Sequence, residues 1–149
     1  MFSQTKILYR METPFKRYTA TELYIPIAEL NAHNANPDNT QVLLGFRPTG
    51  GAFFDTFMTN LCSKGIRNAR FHADLLGISY PELCTCIKVL TGSMYNEFVE
   101  EFTLIKAMDL LQNQSPKLEK RYIASMLGFT YAGFYHFMVR KKKWYKTAS

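Results

Sequence analysis

The residues best equipped for chemistry are basic ones at one end of the chain. Arg140, Lys141, Lys142, Lys143 and Lys146 form a run interrupted only by Trp144 and Tyr145. Cations interleaved with aromatic rings suit a polyphosphate surface, because the charges displace condensed counterions and the rings add contact area. The net charge of +6 is concentrated there: residues 116–149 carry 8 basic and 1 acidic side chains, residues 1–50 carry 5 and 4, and residues 51–115 carry 5 and 7. Other chemistry is poorly supplied. Cys62, Cys84 and Cys86 have neither C-x-x-C nor zinc-knuckle spacing, and His33, His72 and His136 lie far apart in sequence. Glu97, Glu100 and Glu101 share a helical stretch without an accompanying nucleophile, histidine or metal motif, so an acidic solvated face is expected and an enzyme is not. No cofactor is expected. No apolar run reaches the roughly 18 residues of a membrane span, and Met1 to Lys16 has no secretory pattern, so a soluble, cytoplasmic protein is expected.

Hydrophobic periodicity indicates the elements that position these groups. Within 1–50, Thr21–Ile25 and Gln41–Phe46 read as short strands flanking a helix from Pro26 to His33, with Pro26 tolerated at a helix start. This stretch is expected to form an extension that packs on the rest or mediates association, with Tyr18, Tyr24 and Ile25 as contacts. The remainder, 51–149, reads as helical. Phe53, Phe54, Phe57, Met58 and Leu61 make one stripe that Gly65 ends. Helices follow at about 68–76, 81–90, 95–112, 118–127 and 132–143. Ser93 is the expected cap of the longest, with Phe98, Phe102, Ile105, Met108 and Leu111 on its apolar side.

An internal repeat organises four of these helices. Ala73-Asp74-Leu75-Leu76-Gly77-Ile78-Ser79-Tyr80 recurs 51 residues later as Ala124-Ser125-Met126-Leu127-Gly128-Phe129-Thr130-Tyr131. A small residue permits close helix crossing, glycine permits a tight turn, and Ser or Thr can cap the second helix. Leu83 and Ile87 supply the inner face of the first unit's second helix; in the second unit either Phe134 with Met138 or Tyr135 with Val139 fits. The connecting helix would span about 27 Å at about 1.5 Å per residue, and successive major-groove segments lie about 34 Å apart.

Together these residues resemble the DNA-binding domain of the AraC/XylS family of bacterial transcription regulators. Ala73, Leu76, Gly77, Ser79, Leu83, Lys88 and Gly92 fit the family's first unit. Tyr95, Lys106, Ala107, Leu110 and Leu111 fit its connecting helix, Ile123 to Thr130 its second unit, and Arg140 and Lys141 the basic end of its last helix. The match covers about 52–145. Its implication is an all-α domain of two helix-turn-helix lobes joined by a long helix. The function it implies is transcription regulation by sequence-specific binding of duplex DNA, with RNA polymerase or another regulator as a candidate second partner. The DNA-facing positions then fall on Pro81, Cys84, Thr85 and Lys88 in the first lobe. In the second they fall on Ala132, Gly133, His136, Phe137, Arg140 and Lys141; the basic run adds Lys142 and Lys143 as DNA-binding candidates, and Tyr131 at the helix start is a further one.

Two departures stand out: the family's Arg in the connecting helix is Thr103, and Lys142 to Lys146 replace its closing G-x-[TS]-P. None of the positions that the resemblance implies read bases, Pro81, Cys84, Thr85, Ala132, Gly133, His136 and Phe137, is Arg, Asn or Gln, the side chains that fork onto guanine or adenine for about 1 to 3 kcal/mol each. Weak direct readout is expected, with thymine-methyl contacts and DNA shape in its place. Phe137, on the expected solvent side, also suits a protein contact. A protein-interaction module on the same scaffold, or an accessory DNA-architectural or mobile-element factor, are the alternatives. Residues 1–50 are shorter than an ordinary sensor domain, so no small-molecule effector is expected.

Overall fold

The computed structural model describes residues 16–38, 43–113 and 118–141. Among them are eight helices and no strand: α1 Ala20–Leu23, α2 Ile27–Ala35, α3 Ala52–Lys64, α4 Ala69–Leu76, α5 Tyr80–Thr91, α6 Tyr95–Asn113, α7 Lys120–Leu127 and α8 Tyr131–Arg140. None of these helices is long and apolar enough to cross a membrane.

Short-range capping explains most boundaries. Asn68, Ser79 and Thr130 each accept a backbone N–H of the first turn they precede, opening α4, α5 and α8. Gly77 and Gly128, at φ +70° and +89°, close α4 and α7 in the left-handed region and turn the chain into the next helix. The start of α6 differs from expectation. The residue ahead of it is Met94 rather than Ser93, and the Met94 N–H donates to the Glu97 carboxylate at 2.8 Å.

The expected strand at Thr21–Ile25 is corrected. Thr19 and Glu22 form a reciprocal capping box that starts α1, so Thr21 to Leu23 are helical. Only Tyr24 and Ile25 are extended, and Pro26 accounts for this by disfavouring helical backbone at the residue before it. Tyr24 makes an isolated antiparallel bridge to Phe46, which is all that is seen of the second expected strand; residues 41 and 42 lie outside the described set.

Buried side chains gather in two clusters. The first contains Phe54, Phe57, Met58 and Leu61 of α3, Ala69 and Ala73 of α4, Leu83 and Ile87 of α5, and Tyr95, Phe98, Val99 and Phe102 of α6. Ala20, Leu23, Tyr24 and Phe46 belong to it as well, and Tyr18 packs against it, while Ile25 is also buried. The second contains Ala107 and Leu110 of α6, Ile123, Ala124 and Leu127 of α7, and Phe134, Phe137 and Met138 of α8. Helix α6 thus serves both clusters and contacts α1, α2, α5 and α7. For that reason it has no single apolar side: Val99, Thr103, Ala107 and Leu110 are buried, whereas Ile105, Met108 and Leu111 are only half-buried.

Backbone joins the clusters where the Gly65–Ile66 turn meets the end of α7. The Ile66 N–H donates to the Leu127 carbonyl at 2.9 Å. His72, fully buried between the rings of Phe57 and Phe71, donates from Nε2 to the Gly65 carbonyl at 3.2 Å and so braces the same turn. Its Nδ1 is buried without a hydrogen-bond partner. Burial, helped by the Arg67 charge, holds the His72 imidazole below its ordinary pKa against the opposing pull of the Gly65 bond. A folded-state pKa below the unfolded value means that stability is fully present above about pH 6.5 and is lost as the pH falls below it. Urea midpoints of the native chain are expected to fall between pH 7.5 and pH 5. In His72→Gln, which keeps an N–H for Gly65 but does not titrate, that fall is expected to shrink markedly.

Candidate nucleic-acid interface

Helix α5 is oriented by its inner face. Leu83 and Ile87 are fully buried, so Pro81, Thr85 and Lys88 project outward. Cys84 is half-buried against the first cluster, which turns it away from a fully exposed reading position. The helix start is closed by the Ser79–Glu82 capping box at 3.2 and 3.1 Å, and Lys88 Nζ donates to the Gly92 carbonyl beyond the helix end at 3.2 Å. Of the expected DNA-facing positions α5 therefore offers Pro81, Thr85 and the Lys88 stem, with Tyr80 and Glu82 also exposed on the helix.

Helix α8 resolves the choice left by the sequence. Phe134 and Met138 are fully buried, while Tyr135 and Val139 are 42% and 45% exposed. Tyr131, Ala132 and His136 are exposed, and Gly133, whose N–H donates to Thr130 Oγ1 at 3.0 Å, is half-exposed. Phe137 is corrected: it is buried, with its ring 5.0 Å from that of Phe129, and it belongs to the core rather than to the outer face. The stripe that buries Phe134 and Met138 also carries position 137, three residues beyond 134, to the inside.

The basic end is partly engaged within the molecule. Arg140 Nη1 and Lys141 Nζ both reach Glu100 of α6, at 3.1 and 2.8 Å. Burial works to raise the Glu100 pKa, but the bonds from Lys141 and Arg140 outweigh it and hold the carboxyl below its usual range. These two cations thus tie α8 to α6, leaving a net surplus of one charge from the trio. Lys142 and Lys143 lie outside the described residues.

Gly133, Phe137 and Arg140 border an open cleft of about 420 Å³ whose other walls include Arg67, Asn68, Asn96 and Thr130. Of the candidate α5 positions only Cys84 packs against the first cluster, and none of Pro81, Cys84, Thr85 and Lys88 is among the residues lining the cleft. All three cysteines are free; burial pushes the Cys62 thiol up to about 11 and also raises that of Cys86, which makes these two poor nucleophiles. Thr103, which stands where an arginine was expected, is buried and lines a small crevice with Gly65, Ile66 and Leu127.

Two arginines were missed in reading the sequence for site residues. The Arg70 guanidinium sits over the Tyr80 ring at 4.8 Å, and that of Arg121 over the Tyr131 ring at 4.6 Å. Both separations equal the 51-residue repeat, so extending the repeat three residues upstream of Ala73 and Ala124 exposes them. No protein-family model, curated protein or solved structure matches this chain.

Proposed function

We propose that the chain is a duplex-DNA-binding transcription regulator in which α4–α5 and α7–α8 act as two helix-turn-helix units, with α5 and α8 as the helices that enter the groove. The main support is the repeat itself. In each unit a first helix ends on a left-handed glycine, a hydroxyl residue caps the second helix, and an inner apolar face fixes which side looks outward. The resemblance to the AraC/XylS pattern across 52–145 points the same way, as does the basic surplus in 116–149.

Recognition rests mostly on the phosphate backbone. The outer faces carry Pro81, Thr85, Ala132 and His136, which do not make the bidentate base contacts of Arg, Asn or Gln. Thr85→Ala and His136→Ala are expected to shift preference among duplex sequences by about tenfold or less, with little change in bulk affinity. Replacing Lys141, Lys142 and Lys143 together by Ala should weaken binding to every duplex and flatten the dependence of log K on log salt by about 2 to 3 units. Fluorescence anisotropy at several salt concentrations measures both. An unchanged salt slope in the triple variant would remove the basic end from the interface.

A protein-interaction role on the same scaffold has one specific observation in its favour: Tyr122, Met126, Tyr135 and Val139 of α7 and α8 are exposed. Phe137 no longer supports it. A partner retained by the native chain and lost in Tyr135→Ser/Val139→Ser, with no duplex affinity at low salt, would favour that role.

A further inference from the structure

The two stacked arginine–tyrosine pairs have no role in holding the helices' inner faces together. Arg70 lies on α4 and Tyr80 is the first residue of α5; Arg121 lies on α7 and Tyr131 is the first residue of α8. Each pair therefore straddles a turn between the first and second helix of a repeat unit. All four side chains are exposed, the tyrosines at 42% and 37%. A guanidinium held against an aromatic ring is oriented in advance and keeps its N–H donors for a further acceptor, so less side-chain entropy is lost when it binds an anion. A phenol beside it adds a neutral donor of the kind that commonly contacts phosphate oxygens.

We propose that Arg70 with Tyr80, and Arg121 with Tyr131, are two equivalent phosphodiester seats, one in each repeat unit, by which a single chain grips two segments of the duplex DNA backbone. The inference rests on the duplex-binding function proposed above and adds to it the identity of two backbone contacts besides the basic end. Three features select this ligand. The seats recur at the repeat spacing, as suits a polymer that presents the same anion at regular intervals. On their helices Tyr80 and Tyr131 stand five residues before Thr85 and His136, about 140° round the axis at 3.6 residues per turn, which suits contact with the flanking strand rather than with base edges. The seats also involve the first helix of each unit, the one that crosses the backbone when the second enters the major groove. Arg140 and Lys141, by contrast, are already engaged with Glu100.

The test uses the full chain and its Arg70→Ala, Arg121→Ala, Arg70→Lys, Arg121→Lys and double Ala variants, titrated with duplexes of about 20 and about 10 base pairs, two helical turns and one. Melting temperatures are recorded in parallel. On the longer duplex each Ala variant should bind about tenfold more weakly, and its salt slope should fall by about one unit, as loss of one phosphate contact requires. Each Lys variant should restore the slope but only part of the affinity, since it keeps the charge without the planar fork. On the shorter duplex a single Ala variant should lose no more than about twofold, because the other unit still offers an intact seat. If the native chain binds but the Ala variants match it in affinity and slope, the pairs are packing contacts only and the seats are refuted while duplex binding stands. Equal losses on both duplex lengths refute the one-seat-per-unit arrangement. Failure of the native chain to bind either duplex at low salt refutes the function and the seats together.

Discussion

Gly65→Ala is expected to be the most damaging single-methyl change in the chain, costing about 3 kcal/mol or more. A Cβ at this position would stand 2.5 Å from the Leu127 carbonyl oxygen and 2.8 Å from the Gly128 Cα. Both are backbone atoms of the neighbouring helix end, so no side-chain rotation relieves the overlap. The backbone is also at φ +82°, where an L side chain is strained. To accommodate the methyl group, the turn and the end of α7 must separate, which breaks the bond from the Ile66 N–H to Leu127 and leaves the His72 brace without its fixed acceptor. Gly77→Ala is the control. Its φ is +70°, yet nothing lies within 4 Å of the added carbon, so only the conformational cost of about 1 to 2 kcal/mol is expected. Urea unfolding of the two variants checks the contrast. Equal losses would mean that backbone conformation, not the contact between the two clusters, sets the cost.

Removal of the Asp109 carboxylate is expected to have the second-largest effect. Asp109 lies on α6, and its Oδ2 accepts both the Tyr24 hydroxyl and, at 2.8 Å, the Ile27 N–H that opens α2, while Oδ1 accepts from Asn113 at 3.0 Å. One carboxylate therefore anchors the Tyr24–Ile27 connection to the central helix. Burial works to raise its pKa, but the bonds from Tyr24, Ile27 and Asn113 outweigh this and hold it below the usual carboxylate value. Tyr24, buried and facing that negative charge, is pushed well above the ordinary phenol value.

Asp109→Ala leaves a phenol and a backbone N–H with no acceptor and should cost about 2 to 3 kcal/mol. Asp109→Asn, which keeps one oxygen for the Tyr24 and Ile27 donors to share but puts an NH2 where Oδ1 accepted from Asn113, should recover roughly half of that. Because the folded-state pKa is lowered, the carboxylate's contribution is complete above about pH 4 and is lost as the pH falls through the folded value. The Ala variant should therefore show a shallower stability loss in that acid range than the native chain. A coupling energy near zero between Asp109→Ala and Tyr24→Phe in a double-mutant cycle would dismiss this anchor.

The contrast between residues 68–92 and residues 20–47 explains what the sequence revealed. Asn68, Gly77, Ser79 and Gly92 act on their own helix ends, within a few residues, so α4 and α5 were legible from local pattern. The same holds for Thr130 and Gly128 at the α7–α8 turn. Thr21–Ile25, by contrast, has strand-like composition, but a four-residue capping box and the Pro26 that follows decide its backbone. Asp109 was invisible as an anchor because its partners lie 85 and 82 residues away. Helix α6 misled for a related reason: a helix contacted on several sides has no single stripe to find.

Among the candidate positions the structure half-buries Cys84, buries Phe137 and pairs Arg140 and Lys141 with Glu100. The outward positions Pro81, Thr85, Ala132 and His136 follow from the apolar registers of α5 and α8. Phe137 was misplaced while the register of α8 was still open between Phe134 and Tyr135, and it goes inside once Phe134 does. The pairing of Arg140 and Lys141 with Glu100 is not legible locally, because Glu100 is 40 residues distant from Arg140 on another helix. Arg70 and Arg121 were within reach of the repeat, one step further upstream than the glycine and the cap had drawn attention.

The most direct measurement is the affinity of the full chain for a duplex of about 20 base pairs at several salt concentrations from about 50 to 200 mM. Duplex binding through the phosphate backbone predicts saturable association at the lowest salt. It also predicts a log K that falls linearly with log salt, at about 0.9 per phosphate neutralised, and only modest differences between unrelated sequences. Absence of binding at the lowest salt, or an affinity indifferent to salt, would contradict it.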